Sequence, residues 1–247
     1  LTSMRTFDDV LAGNYWTFPE ETATIANYTA VFEGGKMGRF FLNSLIITLP
    51  TVIGTLFLSS LAGYSLAMHR FKLNLLVFAM FIAGNFVPYQ ILMIPVRNIS
   101  IDMGVYNTHI GLIIFHIAFQ TGFCTFFLRN FIKELPFELI EAARADGATE
   151  WTIYRKIILP LIVPALAALG VLEFTFIWND YFWALVLTQG DTVKPITVGL
   201  DVLRGQWTTS WNLVSAGSVV AALPPVIMFF ILQKQFIQGL TFGAVKG

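Results

Sequence analysis

Charged residues are scarce in this chain. They make up 12% of its 247 residues, whereas hydrophobic residues make up 56%. Water-soluble domains carry roughly 25% charged residues, so most of the surface here must face lipid or other apolar helices. The single cysteine, Cys124, excludes an intramolecular disulfide, and three scattered histidines leave no zinc-type ligand cluster. The net charge of zero gives no indication of a nucleic-acid partner.

The chain also lacks the motifs of nucleotide binding and of common hydrolases. A phosphate-binding loop needs an upstream glycine, then Gly-Lys and a hydroxyl residue. The nearest fragment, Gly34-Gly35-Lys36, has neither the upstream glycine nor the hydroxyl residue. HExxH and a paired nucleophile and base are absent as well. We therefore predict that the chain is not an enzyme and binds no cofactor or metal. A transport subunit and a non-transporting receptor subunit are the classes that this leaves.

Long apolar runs are what the chain has in place of charge. A helix needs about 20 mostly apolar residues to cross roughly 30 Å of hydrocarbon. Four uncharged runs meet this length, and a fifth, residues 157–187, meets it while carrying Glu173 and Asp180. Pro160 and Pro164 predict a kink near the start of this fifth run. The sequence thus predicts an all-α membrane protein with five spans, over residues 43–68, 75–96, 108–128, 157–187 and 213–233.

The loops between these spans differ in their content of Lys and Arg. Nine of the 15 such residues fall on one side and six on the other, and the nine are concentrated in shorter segments. Cytoplasmic loops carry the excess of positive charge, so residues 131–156 are predicted to be cytoplasmic and residues 1–40 extracytoplasmic. Residues 1–40 have no apolar run and are predicted to form loops and short helices. A chain that starts outside implies that an earlier span is missing here.

Residues 131–156, named here the polar segment, contain the signals of two helices. Pro136 suits the first turn of a helix, because its missing N–H costs nothing there. Gly147 suits the left-handed residue that follows a helix end. Thr149 suits the cap of a second helix directly after it. The spacing predicts that the first helix covers residues 137–145.

The order of residues in and after the polar segment matches a known signature. Glu141-Ala142-Ala143 is followed after three residues by Gly147, and after nine more by Ile157-x-Leu159-Pro160. This resembles the signature of permease subunits of binding-protein-dependent ABC importers, in which the segment is a coupling helix that docks into a groove on a cytoplasmic ATPase. The alternative is a solvated loop helix with ordinary acidic residues. By the resemblance, the coupling residues are Glu141, Ala142, Ala143, Asp146, Gly147, Ile157, Leu159 and Pro160.

Four further stretches resemble the carbohydrate-uptake branch of this family, specifically the smaller permease of maltose-type importers. They are Asn27-Tyr28, Asn43-Ser44, residues 177–182 and residues 239–247. The resemblance covers essentially the whole chain and implies uptake of a mono- or oligosaccharide, or of a polyol or glycerol-phosphate relative. The coupling signature by itself leaves open an importer for another small solute, such as an amino acid or peptide.

The resemblance also implies an architecture and a set of partners. The expected fold is a type I ABC importer transmembrane domain, one domain over residues 1–247, with five spans present of an expected six. The subunit would line half of the pore beside a second homologous permease. Two ATPase subunits and an extracytoplasmic solute-binding protein would complete the assembly in the bacterial plasma (inner) membrane. ATP and Mg²⁺ would be used by the ATPase, whose closure moves the coupling helices together and turns the pore outward.

The fifth run contains the predicted substrate path. Four of its side chains are spaced i, i+3, i+7 and i+10, so a continuous helix would place them on one face. They are Glu173, Phe176, Asp180 and Trp183. Carboxylates accept hydrogen bonds from sugar hydroxyls and aromatic faces pack on sugar rings, and Asn179 adds an adjacent donor and acceptor. The alternative is that Glu173 and Asp180 satisfy polar groups between helices.

Overall fold

The computed structural model describes residues 1–13, 15–18, 23–34, 36–204 and 209–241, with side chains of the last helix described as far as residue 234. This part of the chain is helical and contains no β-strand. Its α-helices are α1 (Phe7–Leu11), α2 (Ala26–Glu33), α3 (Met37–Met68), α4 (Asn74–Gly84), α5 (Met93–Asp102), α6 (His109–Lys133), α7 (Phe137–Ala145), α8 (Glu150–Ile153), α9 (Leu159–Leu161), α10 (Val163–Trp178), α11 (Phe182–Leu187), α12 (Ile196–Gly199) and α13 (Trp211–Thr241). Single 3-10 turns cover Thr2–Met4, Tyr89–Leu92 and Leu200–Leu203, and a π-helical turn covers Tyr154–Ile158.

Three of these helices are long and apolar enough to cross a membrane, judged by length and composition. They are α3, α6 and the part Trp211–Lys234 of α13. Two further pairs of helices meet the same test only together, and each pair is bent: by 89° after α4 and by 70° before α10. Within the described ranges, the predicted number of five is reached when each bent pair is counted as one span.

The span predicted over residues 75–96 is not one continuous helix. Helix α4 ends at Gly84, and the chain bends by 89° before it continues at Tyr89. Pro88 has no N–H with which to continue the helix, and it disfavours helical geometry in the residue before it. The Asn85 side chain donates its Nδ2–H to the Phe81 carbonyl at 2.8 Å. Local side-chain and proline effects therefore outweigh the apolar composition of the run.

The fifth run begins with the predicted kink. Its helices bend by 70° between Leu161 and Val163. Pro160 and Pro164 each remove one backbone donor, and the π-helical turn Tyr154–Ile158 is separated from the bend only by α9. The kink prediction is confirmed.

The same run is also interrupted near its end, which the sequence did not predict. Helix α10 ends at Trp178. The Asp180 carboxylate then accepts hydrogen bonds from the backbone N–H groups of Trp183 at 3.2 Å and Ala184 at 2.9 Å. A carboxylate in this position caps a new helix, so α11 starts afresh at Phe182 instead of continuing α10.

The chain forms two compact units. Unit 1 consists of Leu1–Thr48, Pro95–Leu112 and Trp178–Ile227, and unit 2 of Leu49–Ile94, Ile113–Ile177 and Met228–Gly247. Unit 2 has a buried apolar core formed by Tyr64, Met68, Cys124, Leu128, Ile132, Ile140, Ile153, Tyr154, Ile158, Ile162, Ala165 and Leu169. Helices α3 and α6 approach closely there, because a Cβ atom at Gly63 would lie 3.1 Å from the Leu128 Cβ and from the Arg129 backbone nitrogen. Only glycine permits that distance without a shift of the backbone.

Unit 1 is held by buried amide side chains. Asn27 donates its Nδ2–H groups to the carbonyls of Ser3 at 3.0 Å and Arg5 at 2.8 Å, and its Oδ1 accepts from Asn212 at 2.9 Å. These bonds tie the first residues of the chain to α2 and to the start of α13. The Asn27 amide is bonded through both its Nδ2 and its Oδ1, and such a buried amide specifies one arrangement, because another would leave its polar atoms unpaired.

Another buried amide side chain, Asn43 of α3, holds the loop after α11. Asn43 donates to the carbonyls of Thr192 at 3.0 Å and Lys194 at 2.9 Å. The neighbouring Ser44 hydroxyl accepts from the backbone N–H of Ile196 at 2.8 Å. Two successive residues of one helix thus satisfy the backbone of residues 192–196.

Candidate functional site

The polar segment folds as its local signals predict. Helix α7 covers Phe137–Ala145, with Pro136 at its N-cap, one residue before the helix. Gly147 has a φ of +78°, the left-handed conformation that ends the helix. The Thr149 hydroxyl accepts from the backbone N–H of Thr152 at 3.3 Å and caps α8. The predicted helix, its end and the following cap are confirmed.

Helix α7 is attached to the core of unit 2 through one face. Ile140 is 1% exposed and belongs to that core. Leu135, Ala143 and Ala148 pack against the same cluster from the side. A buried isoleucine side chain contributes about 1.5–3 kcal/mol, so this contact determines which face of the helix points inward.

The other face of α7 is exposed. Within the coupling signature, Glu141, Ala142, Asp146 and Gly147 are exposed, and Ala143 is half-buried. Leu139 on the same short helix is 49% exposed. A surface with small residues, one apolar side chain and a carboxylate allows a protein partner to approach the backbone closely. The left-handed turn at Gly147 faces open space, since a Cβ atom there would meet nothing within 4 Å.

The later part of the signature occupies a different environment. Ile157 and Leu159 are half-buried and pack against the core of unit 2, whereas Pro160 is exposed. Ile157 and Leu159 therefore contribute to the packing beneath the 70° bend rather than to the exposed face of α7. Their assignment as coupling residues stays a prediction. In this structure they would influence coupling by supporting the core of unit 2 and not by direct contact with a partner.

Glu150 connects the polar segment to α3, and sequence analysis did not identify it. Its Oε1 accepts from Arg144 Nε at 2.8 Å, and its Oε2 accepts from the Tyr64 hydroxyl at 2.6 Å. His69 Nε2 lies 3.2 Å from the same Oε2. Tyr64 and His69 come 86 and 81 residues before Glu150 (150 − 64 and 150 − 69). The available signal was local: an acid in the first turn of α8, six residues after an arginine.

The hydrogen bonds of Glu150 determine its protonation. Donation by Arg144, followed in importance by donation from Tyr64, lowers the pKa of the Glu150 carboxyl from 4.5 to about 2. This carboxyl precedes the apolar run that begins at residue 157. It is therefore ionised at every pH at which cells operate, and the contact with α3 is charge-assisted.

Glu173, the first predicted substrate-path residue, is fully buried in unit 2. Its Oε1 accepts a hydrogen bond from the Cys124 thiol at 3.2 Å, and its Oε2 has no partner among the described residues. Phe176, three residues later on α10, is 60% exposed. The two side chains are three residues apart on one helix, as predicted, but they differ in burial, because Glu173 is packed inside unit 2 whereas Phe176 is open.

The remaining path residues lie after the end of α10. Asp180 caps α11, Trp183 is 7% exposed and Asn179 is exposed. Trp178 beside them is 1% exposed and donates its indole N–H to the Ala221 carbonyl at 2.8 Å. The proposed stripe on a single helix is therefore wrong, because the capping by Asp180 ends the helix on which it depended. Contact of any of these residues with substrate stays a prediction.

The part of the chain that the structure describes contains no group of three or more His, Cys, Asp or Glu side chains that could hold a metal ion. Of the stretches that resemble carbohydrate-uptake permeases, residues 242–247 lie outside the described residues. The other stretches are described, and Asn27, Asn43, Ser44 and Trp178 are all buried contributors to unit 1.

Comparison with known proteins identifies the class of protein that carries this site. The binding-protein-dependent transport system inner membrane component family matches residues 56–242, which include the whole polar segment. This chain belongs to that family. It is accordingly a membrane transport component rather than an enzyme.

Individual relatives cover most of the chain. The arabinooligosaccharides transport system permease protein AraQ of Bacillus subtilis is 35% identical over 222 residues, covering 90% of this chain and 78% of that protein. The melibiose/raffinose/stachyose import permease protein MelC of the same organism is 36% identical and covers 94% of this chain and 84% of that protein. The osmoprotective compounds uptake permease protein GgtD of Synechocystis is 35% identical and covers 100% and 85%.

Solved structures share the fold. A chain of a bacterial ABC transporter involved in the import of the acidic polysaccharide alginate superimposes with a TM-score of 0.84 at 23% identity, over 95% of this chain and 87% of that one. A chain of the inward-facing MetNI methionine ABC transporter gives 0.66 at 19% identity, over 82% and 95%. The predicted all-α, type I importer fold is confirmed.

Proposed function

We propose that this chain is the permease subunit of an ATP-driven importer and forms half of the membrane pathway for a sugar. Family membership supports the transport role. The sugar assignment is supported by relatives named for arabinooligosaccharides, for melibiose, raffinose and stachyose, and for alpha-glucosides. The observation that carries the proposal is the exposed face of α7 within a matching family signature.

The exposed face of α7 is the proposed docking surface for a cytoplasmic ATPase. Ala142 offers little side chain, so a partner groove can close around the helix backbone. Glu141 offers an exposed carboxylate to a basic group of the partner. Ile140 and Glu150 anchor the helix to the core and to α3, and these contacts would carry a movement of the ATPase into the membrane helices.

The proposed partners follow from the same assignment. They are a second homologous permease, two ATPase subunits and an extracytoplasmic solute-binding protein, in a bacterial inner membrane. ATP and Mg²⁺ belong to the ATPase in this proposal, because the chain has no phosphate-binding glycine loop. One related structure is described as a bacterial alginate ABC transporter in complex with alginate pentasaccharide-bound periplasmic protein, which supports the binding-protein partner.

Uptake by reconstituted vesicles tests the function. The complete transporter, with ATP inside and binding protein outside, should accumulate a labelled oligosaccharide from a panel that also contains polyols, amino acids and short peptides. Omission of ATP or of the binding protein should abolish uptake. Accumulation of only an amino acid or peptide would contradict the sugar assignment, and ATP-independent uptake would contradict the importer class.

A charge reversal on α7 tests the docking surface. Glu141→Lys should reduce co-purification of the ATPase, with a loss of about 2–5 kcal/mol if the Glu141 carboxylate is paired and buried in the complex. Glu33→Lys makes the same change in charge at an exposed position of α2, in the segment predicted to be extracytoplasmic, and serves as the matched control. Equal retention of the ATPase by both variants would show that Glu141 does not contact it.

Thiol labelling tests the substrate path. Cysteines at Phe176 and Asn179, both exposed, should react with hydrophilic reagents in a manner that changes with nucleotide and sugar. Leu172, half-buried on α10, is the comparison, and Cys124 must first be replaced by serine. Labelling that is identical in every transport state would remove Phe176 and Asn179 from the path.

A further inference from the structure

A cavity of about 860 Å³ lies within unit 2, between the end of α3, the start of α4, the end of α6 and α7. We name it the basic cleft. Its cationic lining consists of Arg70, Lys72, Arg129, Lys133 and Arg144. Among the described residues that line it, Glu141 is the only carboxylate. The cleft therefore has a strong excess of positive charge.

Most of this charge is not neutralised within the chain. Arg144 and His69, which also lines the cleft, both lie at the Glu150 carboxylate. In the part of the chain that the structure describes, no carboxylate lies within ion-pair distance of the other four cations, Arg70, Lys72, Arg129 and Lys133. Four cations around one cavity repel each other until an anion enters it.

The walls of the cleft are ordered before any ligand binds. Asn74 donates its Nδ2–H groups to the carbonyls of Leu66 at 3.1 Å and His69 at 2.8 Å, which fixes the turn between α3 and α4. The Arg129 guanidinium stacks over the Phe78 ring, with its Cζ 3.7 Å from the ring centroid. Its Nε is buried and has no hydrogen-bond partner among the described residues. A fixed, partly unsatisfied guanidinium suits recognition of a phosphate or carboxylate.

The rim of the cleft on the α4 side is apolar and exposed. Phe71 is 44% exposed and Leu75 is 73% exposed, and both line the cleft. Along α4, Leu76 and Met80 continue this apolar surface with exposures of 56% and 66%. An occupant that matches the whole site must combine an anionic group with a long apolar body.

We propose that the basic cleft binds the phosphate headgroup of an anionic phospholipid, whose acyl chains lie along α4. Basic pockets at the ends of transmembrane helices attract such headgroups. Free inorganic phosphate matches the cations but leaves the apolar rim uncovered. An acidic segment of a protein partner also matches the cations, but it leaves the exposed apolar side chains along α4 uncovered. The proposal does not depend on which solute the transporter carries.

Lipid retention by the purified transporter tests the site. The full chain, with the subunits that co-purify with it, is exchanged into detergent with equal amounts of phosphatidylglycerol and phosphatidylcholine, and native mass spectrometry counts the bound lipids. Arg70→Gln/Lys133→Gln should reduce retained phosphatidylglycerol by about tenfold. Arg155→Gln/Lys156→Gln removes two exposed cations of the polar segment that do not line the cleft, and it should retain the wild-type amount.

Each other outcome overturns the proposal. Equal loss of phosphatidylglycerol in both double variants would indicate general attraction of surface charge. Displacement of the lipid by inorganic phosphate at the same concentration would assign the cleft to a soluble phosphate. Loss of the ATPase from Arg70→Gln/Lys133→Gln, with lipid content unchanged, would assign the cleft to an acidic segment of that partner. Equal retention of phosphatidylcholine and phosphatidylglycerol by the wild type would exclude recognition of charge.

Discussion

In unit 1 four of the residues that resemble carbohydrate-uptake permeases lie inside, namely Asn27, Asn43, Ser44 and Trp178, whereas in unit 2 the coupling signature lies largely at the surface. Asn43 and Trp178 are 5% and 1% exposed, and each makes hydrogen bonds to backbone carbonyls. Glu141 and Asp146 of α7 are exposed. Buried polar groups that are fully bonded specify a fold, and exposed ones are available to a partner. A motif shared with a family can therefore indicate either a residue that specifies the fold or a residue that contacts a partner, and its burial distinguishes these two roles.

The largest expected effect is on the buried side of this comparison. Trp178→Ala should lower the free energy of unfolding by about 3–5 kcal/mol, because it leaves a cavity and removes the donor to the Ala221 carbonyl. Thermal unfolding of the purified transporter measures this. Trp211→Ala is the matched control, since that side chain is 52% exposed. An equal change in both variants would contradict the structural role of Trp178.

Glu150 combines features of the buried and the exposed residues. It anchors α7 through hydrogen bonds, yet 45% of its side chain is exposed. Glu150→Gln should cost about 1 kcal/mol after allowance for solvent screening. Its folded pKa of about 2 lies below the ordinary 4.5, so the contribution is complete above pH 4.5 and is lost as the pH falls towards 2. The difference in stability from wild type should be constant between pH 5 and 8.

Two measurements sharpen this expectation. Thermal unfolding at several pH values should give parallel curves for wild type and Glu150→Gln above pH 5. Uptake by the variant should fall relative to its ATPase activity, since the link from α7 to α3 is weakened. A stability difference that disappears between pH 5 and 8 would show that another group titrates at this contact.

Substitutions at Gly147 distinguish the effect of backbone conformation on stability from the effect of added atoms on partner binding. Gly147→Ala should destabilise the protein by about 1 kcal/mol, because alanine is strained at a φ of +78°. Gly147→Asn tolerates that conformation better and should be nearly neutral in thermal unfolding. Both add atoms to the exposed face, where the chain itself offers open space, so both should reduce ATPase co-purification. Full retention of the ATPase by Gly147→Asn would place the docking surface elsewhere.

The smallest effect is expected for an exposed ion pair of unit 1. Lys36 Nζ lies 2.8 Å from Asp191 Oδ2, with the lysine 53% exposed. Lys36→Gln should change the free energy of unfolding by about 0.5 kcal/mol or less, and added salt should remove even that. Thermal unfolding at low and high ionic strength measures the difference. A change comparable to that of Trp178→Ala would refute the distinction between buried and exposed contacts.

The sequence was most informative where structure depends on near neighbours. The bounds of α7 follow from Pro136, Gly147 and Thr149, whose effects act within one helical turn. The predicted stripe failed because Asp180 could either extend a helix or cap the next one, and periodicity does not distinguish these choices. The contact of Glu150 with Tyr64 joins residues 86 positions apart (150 − 64), so no local pattern could reveal it.

The residues that anchor α7 differ from those on its exposed face. Substitutions that affect the fold and substitutions that affect a partner therefore fall at different positions. Ile140 packs in the core and Arg144 donates to Glu150. The exposed residues of the helix include Glu138, Leu139, Glu141 and Ala142. If α7 docks as proposed, drift at the exposed positions would alter which ATPase is accepted while the membrane domain stays intact. On the proposed docking role, substitutions at a few positions of this nine-residue helix would be enough to change the ATPase partner, and its outer face could be transplanted between permeases.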